Sequence, residues 1–322
     1  MTNQKILITG ANGFIGRSVR NSLLKNNYHP RCAYRFACNN EEQESYDDSV
    51  FVGDIDDVTD WSLALEGIDV VIHLAARVHV MKEHSKSPLE EFRKVNVLGT
   101  EKLGLDAAKY GVKRLIYISS IKVNGEVTTD TPYNERSMPH PVDPYGVSKY
   151  EAELALKKIS NKEGLEIVII RPPLVYGPGV KGNFLSLMKL INSGLPLPLG
   201  CINNSRSLVS INNLTDFIVR CIDHPNAANE TFMVSDRNDL STADLVKHIS
   251  YALNRTPKLL SVQPWLLEIL AGLFGKKDVV QRLVQTLKVD CGKANMLLEW
   301  YPPNSTDEEI FKTVSWYINR AR

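Results

Sequence analysis

Lys5-Ile6-Leu7-Ile8-Thr9 runs directly into Gly10-Ala11-Asn12-Gly13-Phe14-Ile15-Gly16, and a helical segment follows over 17–25. The apolar run reads as a buried strand, so the order is strand, glycine loop, helix. Glycine at 10, 13 and 16 permits a tight turn and a close approach of backbone to a pyrophosphate. The start of the helix, from Asn12 through Phe14 and Ile15, offers free N–H groups to that anion. A unit of this kind predicts an α/β fold, a Rossmann doubly wound parallel sheet that binds a dinucleotide.

Strand-like runs at 30–35, 51–55, 69–76, 114–120 and 166–171 extend the sheet. The second ends in Arg35. An acidic residue there would bond the adenosine ribose hydroxyls, whereas an arginine accommodates a 2′-phosphate, so NADP is expected ahead of NAD. Asp54 and Ile55, leaving the third run, are expected at the adenine, the carboxylate accepting from its amino group. The fourth run ends in Leu74-Ala75-Ala76, small enough for backbone to pass close to a cofactor, and His73 within it reads as a packed core histidine. Between 88 and 110 apolar residues recur at helical spacing, with Asn96 and Gly99 inside. That helix covers the sheet or pairs with a second subunit. Asn96 either orients a water or backbone near the nicotinamide or faces solvent.

The chemistry concentrates in Tyr145-Gly146-Val147-Ser148-Lys149. On a helix Tyr145 and Lys149 share a face, so the ammonium can favour the ionised phenol. An unperturbed phenol has a pKa of about 10 and needs such help to exchange protons near neutrality. Ser119 and Ser120 end the 114–120 run, at the sheet edge where open α/β folds bind ligands. Ser120 is expected to hydrogen-bond a substrate oxygen, Tyr145 to move its proton, and Lys149 to hold the nicotinamide ribose.

These pieces, with Gly53-Asp54, Asn96-Val97-Leu98-Gly99-Thr100 and Val123-Asn124-Gly125, resemble the extended short-chain dehydrogenase/reductase family. The resemblance is to its nucleotide-sugar epimerases, dehydratases and ketoreductases, and it spans nearly the whole chain. It implies hydride transfer at C4 of a UDP-linked hexose, Pro172 beside the nicotinamide, and a helix-paired homodimer. It further implies substrate contacts from Asn183 and Phe184, with Arg206 and Arg282 on the diphosphate. The 4,6-dehydratases have Thr-Asp-Glu where this chain has Ser120-Ile121-Lys122, so elimination of water lacks its acid. Leu174 stands where UDP-glucose 4-epimerases have an asparagine. Together with Arg35 these departures favour a 4-ketoreductase over a UDP-glucose/UDP-N-acetylglucosamine 4-epimerase. A steroid- or flavonoid-type reductase and a non-catalytic NADP-binding regulator are the remaining alternatives.

At 322 residues and 43% hydrophobic composition the chain exceeds the size at which one core usually divides. The expected division is 1–172 plus 208–235 as the NAD(P)-binding domain, and 173–207 plus 236–322 as a smaller, mostly helical nucleotide-sugar domain. A net charge of +1 supplies no basic field for nucleic acid, and the one charge run is the acidic neighbourhood Glu41 to Asp48. Cys32, Cys38, Cys201, Cys221 and Cys291 are odd in number and scattered, which argues against a disulfide framework or a metal site and fits reduced cytoplasm. No apolar stretch reaches the roughly 20 residues that span a bilayer, and no signal-peptide pattern opens the chain. The apolar 264–274 segment is expected to be buried packing rather than membrane contact.

Overall fold

A computed structural model describes residues 4–36, 48–78, 87–273 and 277–320. Cys38 and the acidic residues 41–47 lie outside them. The strands are β1 (Ile6–Thr9), β2 (Arg31–Tyr34), β3 (Ser49–Phe51), β4 (Val70–His73), β5 (Arg114–Ile118), β6 (Glu166–Arg171), β7 (Leu174–Tyr176), β8 (Leu208–Ser210) and β9 (Thr231–Met233). Seven form one parallel sheet in the order β3-β2-β1-β4-β5-β6-β9. The order switches direction at β1 and β4, and doubly wound sheets bind ligands in the crevice at that switch. Thr9 pairs with His73 and His73 with Tyr117, so the carboxyl ends of β1, β4 and β5 lie side by side.

Along β1 the period of two assigns Ile6 and Ile8 to one face and Leu7 to the other. The first face carries Ile72, Ile116, Phe217, Phe232 and Trp300; the second carries Val71, Leu103, Leu115, Tyr117 and Leu156. Burial on both faces explains why these strands are continuously apolar. A third cluster, with Tyr176, Phe184, Met188, Leu208, Val246 and Ile310, is built from chain beyond β6.

Several element boundaries differ from the sequence expectation. β3 is Ser49–Phe51, paired with β2; Val52 N still donates to Tyr34 O at 3.0 Å, and the chain leaves the sheet through Gly53 at φ +72°. The helix expected over 88–110 is two helices, Pro88–Arg93 and Gly99–Lys109, joined by a π-helical turn at Lys94–Leu98 that contains Asn96. Val209 lies in β8, which pairs with β7 as a separate two-stranded sheet. Pro172 and Pro173 interrupt the ladder between β6 and β7, and the chain turns away from the main sheet there. The helix Pro264–Leu273 buries Leu267 but exposes Trp265, Leu266, Ile269 and Leu273. Its expected burial is therefore corrected: it packs on the helix Lys277–Val284, which leaves another side of it uncovered. No helix among the described residues is long and apolar enough to cross a membrane.

Candidate active site

Gly10 turns at φ +68°, and a Cβ there would stand 2.8 Å from the Ala75 nitrogen. The glycine loop thus lies directly against the exit of β4, where Leu74 N donates to Thr9 O at 3.3 Å and Ala75 N to Thr9 Oγ1 at 3.2 Å. Ala76 continues the same half-buried segment. A Cβ at Gly16 would stand 2.1 Å from Gly10 O, so the helix Phe14–Lys25 begins tight against the loop. Its N-cap is Gly13, with no side chain to satisfy the first N–H groups, those of Phe14, Ile15 and Gly16. Uncapped donors beside bare glycine backbone, with Asn12 exposed next to them, fit a dinucleotide pyrophosphate.

The adenosine end departs from expectation. Arg35 Nε lies 2.9 Å from Asp54 Oδ1, both side chains exposed, so the guanidinium expected to meet a 2′-phosphate already has a carboxylate partner. Ile55 is half-buried, and a Cβ at Gly99 would stand 2.5 Å from its Cγ2. That close approach places the π-helical turn against the segment leaving β3.

Lys149 is 3% exposed. Its Nζ donates to Ile118 O at 2.8 Å and lies 4.5 Å from the Tyr117 ring centroid and 6.0 Å from that of Tyr145. Burial pulls its pKa down to about 7, while the Glu153 charge opposes the shift. The Tyr145 phenol is pushed above its ordinary value, first by burial and then by Asp143. The expectation that Lys149 makes this phenol acidic is therefore corrected for the protein alone: the ammonium is engaged by Ile118 O, and desolvation dominates at both groups. Ser120 opens a short 3-10 turn, Ile121–Val123, and its Oγ accepts from Lys122 N at 3.2 Å, which leaves its O–H free to donate. Phe92 meets the Tyr145 ring edge-on at 6.1 Å.

His73 is a core residue, as expected. Its ring nitrogens contact Thr9 Oγ1 at 2.7 Å and Thr100 Oγ1 at 2.9 Å, and burial with the Lys149 charge pulls its pKa down to about 3. Asn96 is 1% exposed. It accepts from Arg77 N at 2.8 Å and donates to Arg77 O at 3.0 Å and Ser148 Oγ at 2.9 Å. It does not face solvent: it orients backbone after β4 and ties that backbone to the Tyr145 helix.

Sequence reasoning missed the two carboxylates whose charges act on Lys149 and Tyr145. Asp143 caps the helix Pro144–Glu163, accepting from Gly146 N at 2.7 Å. Glu153, fully buried one turn beyond Lys149, accepts from Arg171 Nε at 2.9 Å and from Ser119 Oγ at 2.5 Å, and its other oxygen also bonds Arg171. Arg171 Nη1 continues to Asn124 Oδ1 at 3.0 Å. The available signal was an i,i+4 charge pair, Lys149 and Glu153, on one helix face.

On the substrate side, Pro172 is buried and its carbonyl accepts from Ile121 N at 3.0 Å, which fixes the Ser120 turn. The Phe184 ring stacks on Tyr176 at 5.3 Å inside the third cluster. Its side chain is core, and only its backbone at the start of the helix Gly182–Asn192 remains for a ligand. Asn183 is exposed at that same end. Arg206 Nη1 donates to Arg282 O at 2.9 Å and Gln285 O at 3.1 Å. Burial and the Arg282 charge lower the Arg206 pKa, while Glu126 opposes them. Two cations expected on one diphosphate are thus neighbours.

Residues 6–235 match the model of the NAD dependent epimerase/dehydratase family. A UDP-glucose 4-epimerase of Vibrio cholerae is 46% identical over 318 residues, 98% of this chain and 96% of that protein. An N-acetyl-alpha-D-glucosaminyl-diphospho-ditrans,octacis-undecaprenol 4-epimerase of Escherichia coli O157:H7 is 31% identical over 86% of this chain and 83% of its own. Among solved structures, a UDP-glucuronic acid 4-epimerase from Bacillus cereus in complex with NAD superposes with a TM-score of 0.80 at 23% identity, over 99% of this chain and 100% of the other. A UDP-glucose 4-epimerase from Thermotoga maritima with UDP-glucose gives 0.78 at 23%, with the same coverage.

Proposed function

The chain belongs to the NAD-dependent epimerase/dehydratase family, enzymes that act on nucleotide sugars, and from that premise we propose that it inverts C4 of a UDP-linked hexose. The main support is the bond from Lys149 Nζ to Ile118 O, two residues before Ser120, which draws the helix carrying Tyr145 onto the carboxyl end of β5. In this reading Ser120 donates to the substrate O4, Tyr145 takes the O4 proton as C4 gives up hydride, and Lys149 holds the ribose. Bound nicotinamide supplies the hydride acceptor and donor. The 4-ketone so formed would turn over in the site, and Tyr145 would return the proton to O4 when the other face of that ketone is reduced. The cycle is redox-neutral. Arg206 and Arg282, with Asn183 and the Phe184 backbone, take the nucleotide diphosphate.

NAD is the proposed dinucleotide. Asp54 already partners Arg35, and the Bacillus cereus relative holds NAD. A larger rise in Tm with NADP than with NAD at equal concentration would reinstate the NADP preference. A cytoplasmic homodimer completes the reading, paired through the helices Gly99–Lys109 and Pro144–Glu163, on which Leu105 and Leu154 are exposed.

A second reading, a hexose carried on a diphospholipid, attaches to one feature. The helix Pro264–Leu273, with its exposed Trp265 and Ile269, packs on the helix that bears Arg282.

The test is to incubate the protein with UDP-glucose, UDP-N-acetylglucosamine, a 4-keto-6-deoxy UDP-sugar and a polyprenyl-diphosphate N-acetylhexosamine, each with and without NADPH. A C4 epimer of a UDP-sugar without net NADPH consumption is expected, and Tyr145→Phe should abolish it. Net consumption on the keto sugar would make the chain a 4-ketoreductase instead. Turnover of the lipid-linked sugar alone would favour the second reading.

A further inference from the structure

Building on the proposed roles of Ser120 and Tyr145, we infer that Lys122 is a positioning residue: it fastens the serine turn to the tyrosine helix and neutralises the carboxylate that caps that helix. Lys122 follows Ser120 by two residues, where the dehydratases have glutamate. Its Nζ lies 2.5 Å from Glu126 Oε1 and 2.5 Å from Asp143 Oδ2. The other oxygen of Asp143 caps the helix through Gly146 N. Backbone closes the same seam, since a Cβ on Gly146 would stand 2.8 Å from Lys122 O. One residue therefore meets the first turn of the Tyr145 helix twice, its carbonyl packed closely against Gly146 and its ammonium bonded to Asp143.

The electrostatic consequence falls on the phenol. Asp143 is the charge that, after burial, pushes Tyr145 upward. The other groups facing that ring are Lys149 on its own helix, Tyr117 from β5 and Phe92 from the helix Pro88–Arg93, over which Arg77 lies at 5.6 Å. Lys122 offsets Asp143 at a contact where both side chains are about a quarter to a third exposed, so the offset is partly screened. Beyond it Glu126 faces Arg206. Asp143, Lys122, Glu126 and Arg206 thus alternate in sign from the catalytic helix to the candidate diphosphate arginines.

The experiment is a double-mutant cycle on the epimerisation assay, with Lys122→Met, Asp143→Asn, the double variant, and Lys122→Arg. Asparagine caps helices as well as aspartate, so D143N removes charge and keeps the cap. Lys122→Met should lower kcat about tenfold with KM changed less than about threefold, and move the pH at which kcat rises upward by about half to one unit. A negative charge left uncompensated disfavours the phenolate, which fixes that sign. In the D143N background the K122M shift should vanish, and K122R should restore both rate and profile. A wild-type pH profile in K122M, or a shift that persists in the double variant, overturns the inference. If the wild type turns over no UDP-sugar, the proposed function has failed; if it turns over and the cycle shows no coupling, this inference alone has failed.

Discussion

Lys149→Met removes an ammonium that the fold holds almost dry, and the expected result is a more stable protein that no longer turns over. Lys149 is 3% exposed and its pKa is pulled down to about 7. Against an unfolded lysine near 10.4, a gap of about three units at about 1.4 kcal/mol each costs the folded state roughly 4 kcal/mol below pH 7. Methionine fills similar volume without that cost. It leaves Ile118 O without its donor, which subtracts about 1–3 kcal/mol. The balance is a gain of about 2 kcal/mol at pH 6. The sign with pH follows from proton binding: between about pH 7 and 10 the unfolded chain holds a proton that the folded chain has released, so wild-type stability rises through this window. The advantage of methionine should therefore shrink from pH 6 to pH 9. Urea unfolding of the cofactor-free wild type and variant at pH 6, 7.5 and 9 measures both effects. A variant less stable than wild type at pH 6, or a gap indifferent to pH, would refute the reasoning.

Glu153→Gln leaves Arg171 buried with no carboxylate and should cost about 3–5 kcal/mol in urea unfolding; a loss under about 1 kcal/mol would mean that Arg171 is served by other groups. Gly10→Ala places a Cβ 2.8 Å from the Ala75 nitrogen at a positive φ. It should cost about 1–3 kcal/mol and weaken NAD binding, read by quenching of tryptophan fluorescence, and unchanged affinity would show that the loop adapts.

The part of the fold written locally was legible. Strand β1, its glycine loop and the following helix depend on neighbours in sequence, as do the apolar runs of β4, β5 and β6. What depends on distant partners was not. Nothing in Lys94–Leu98 announces a π-helical turn; it accompanies a close approach of Gly99 to Ile55, forty-odd residues earlier in the chain. The exposed side of Pro264–Leu273 was illegible because an apolar composition does not say which faces find a partner. Tyr145 and Lys149 were found by spacing, yet the direction of their pKa shifts was not, since spacing shows neighbours and not dryness.

Dryness works against proton exchange at both groups: it raises the phenol and strips the ammonium. The chain answers with a fixed charge at each. Behind Lys149, Glu153 favours its protonated form, and Arg171 with Ser119 holds that carboxylate in one orientation. In front of Tyr145 the conflict is sharper, because the helix that carries the phenol starts with an aspartate cap. An acidic cap is worth about 1 kcal/mol to a helix, and its charge repels a phenolate two residues away. An ammonium on the second oxygen of Asp143 lets the cap stay while its charge is offset. A glutamate at position 122 would instead put a third carboxylate beside Asp143 and Glu126, and the Asp143 charge next to the Tyr145 phenol would stand without its offset.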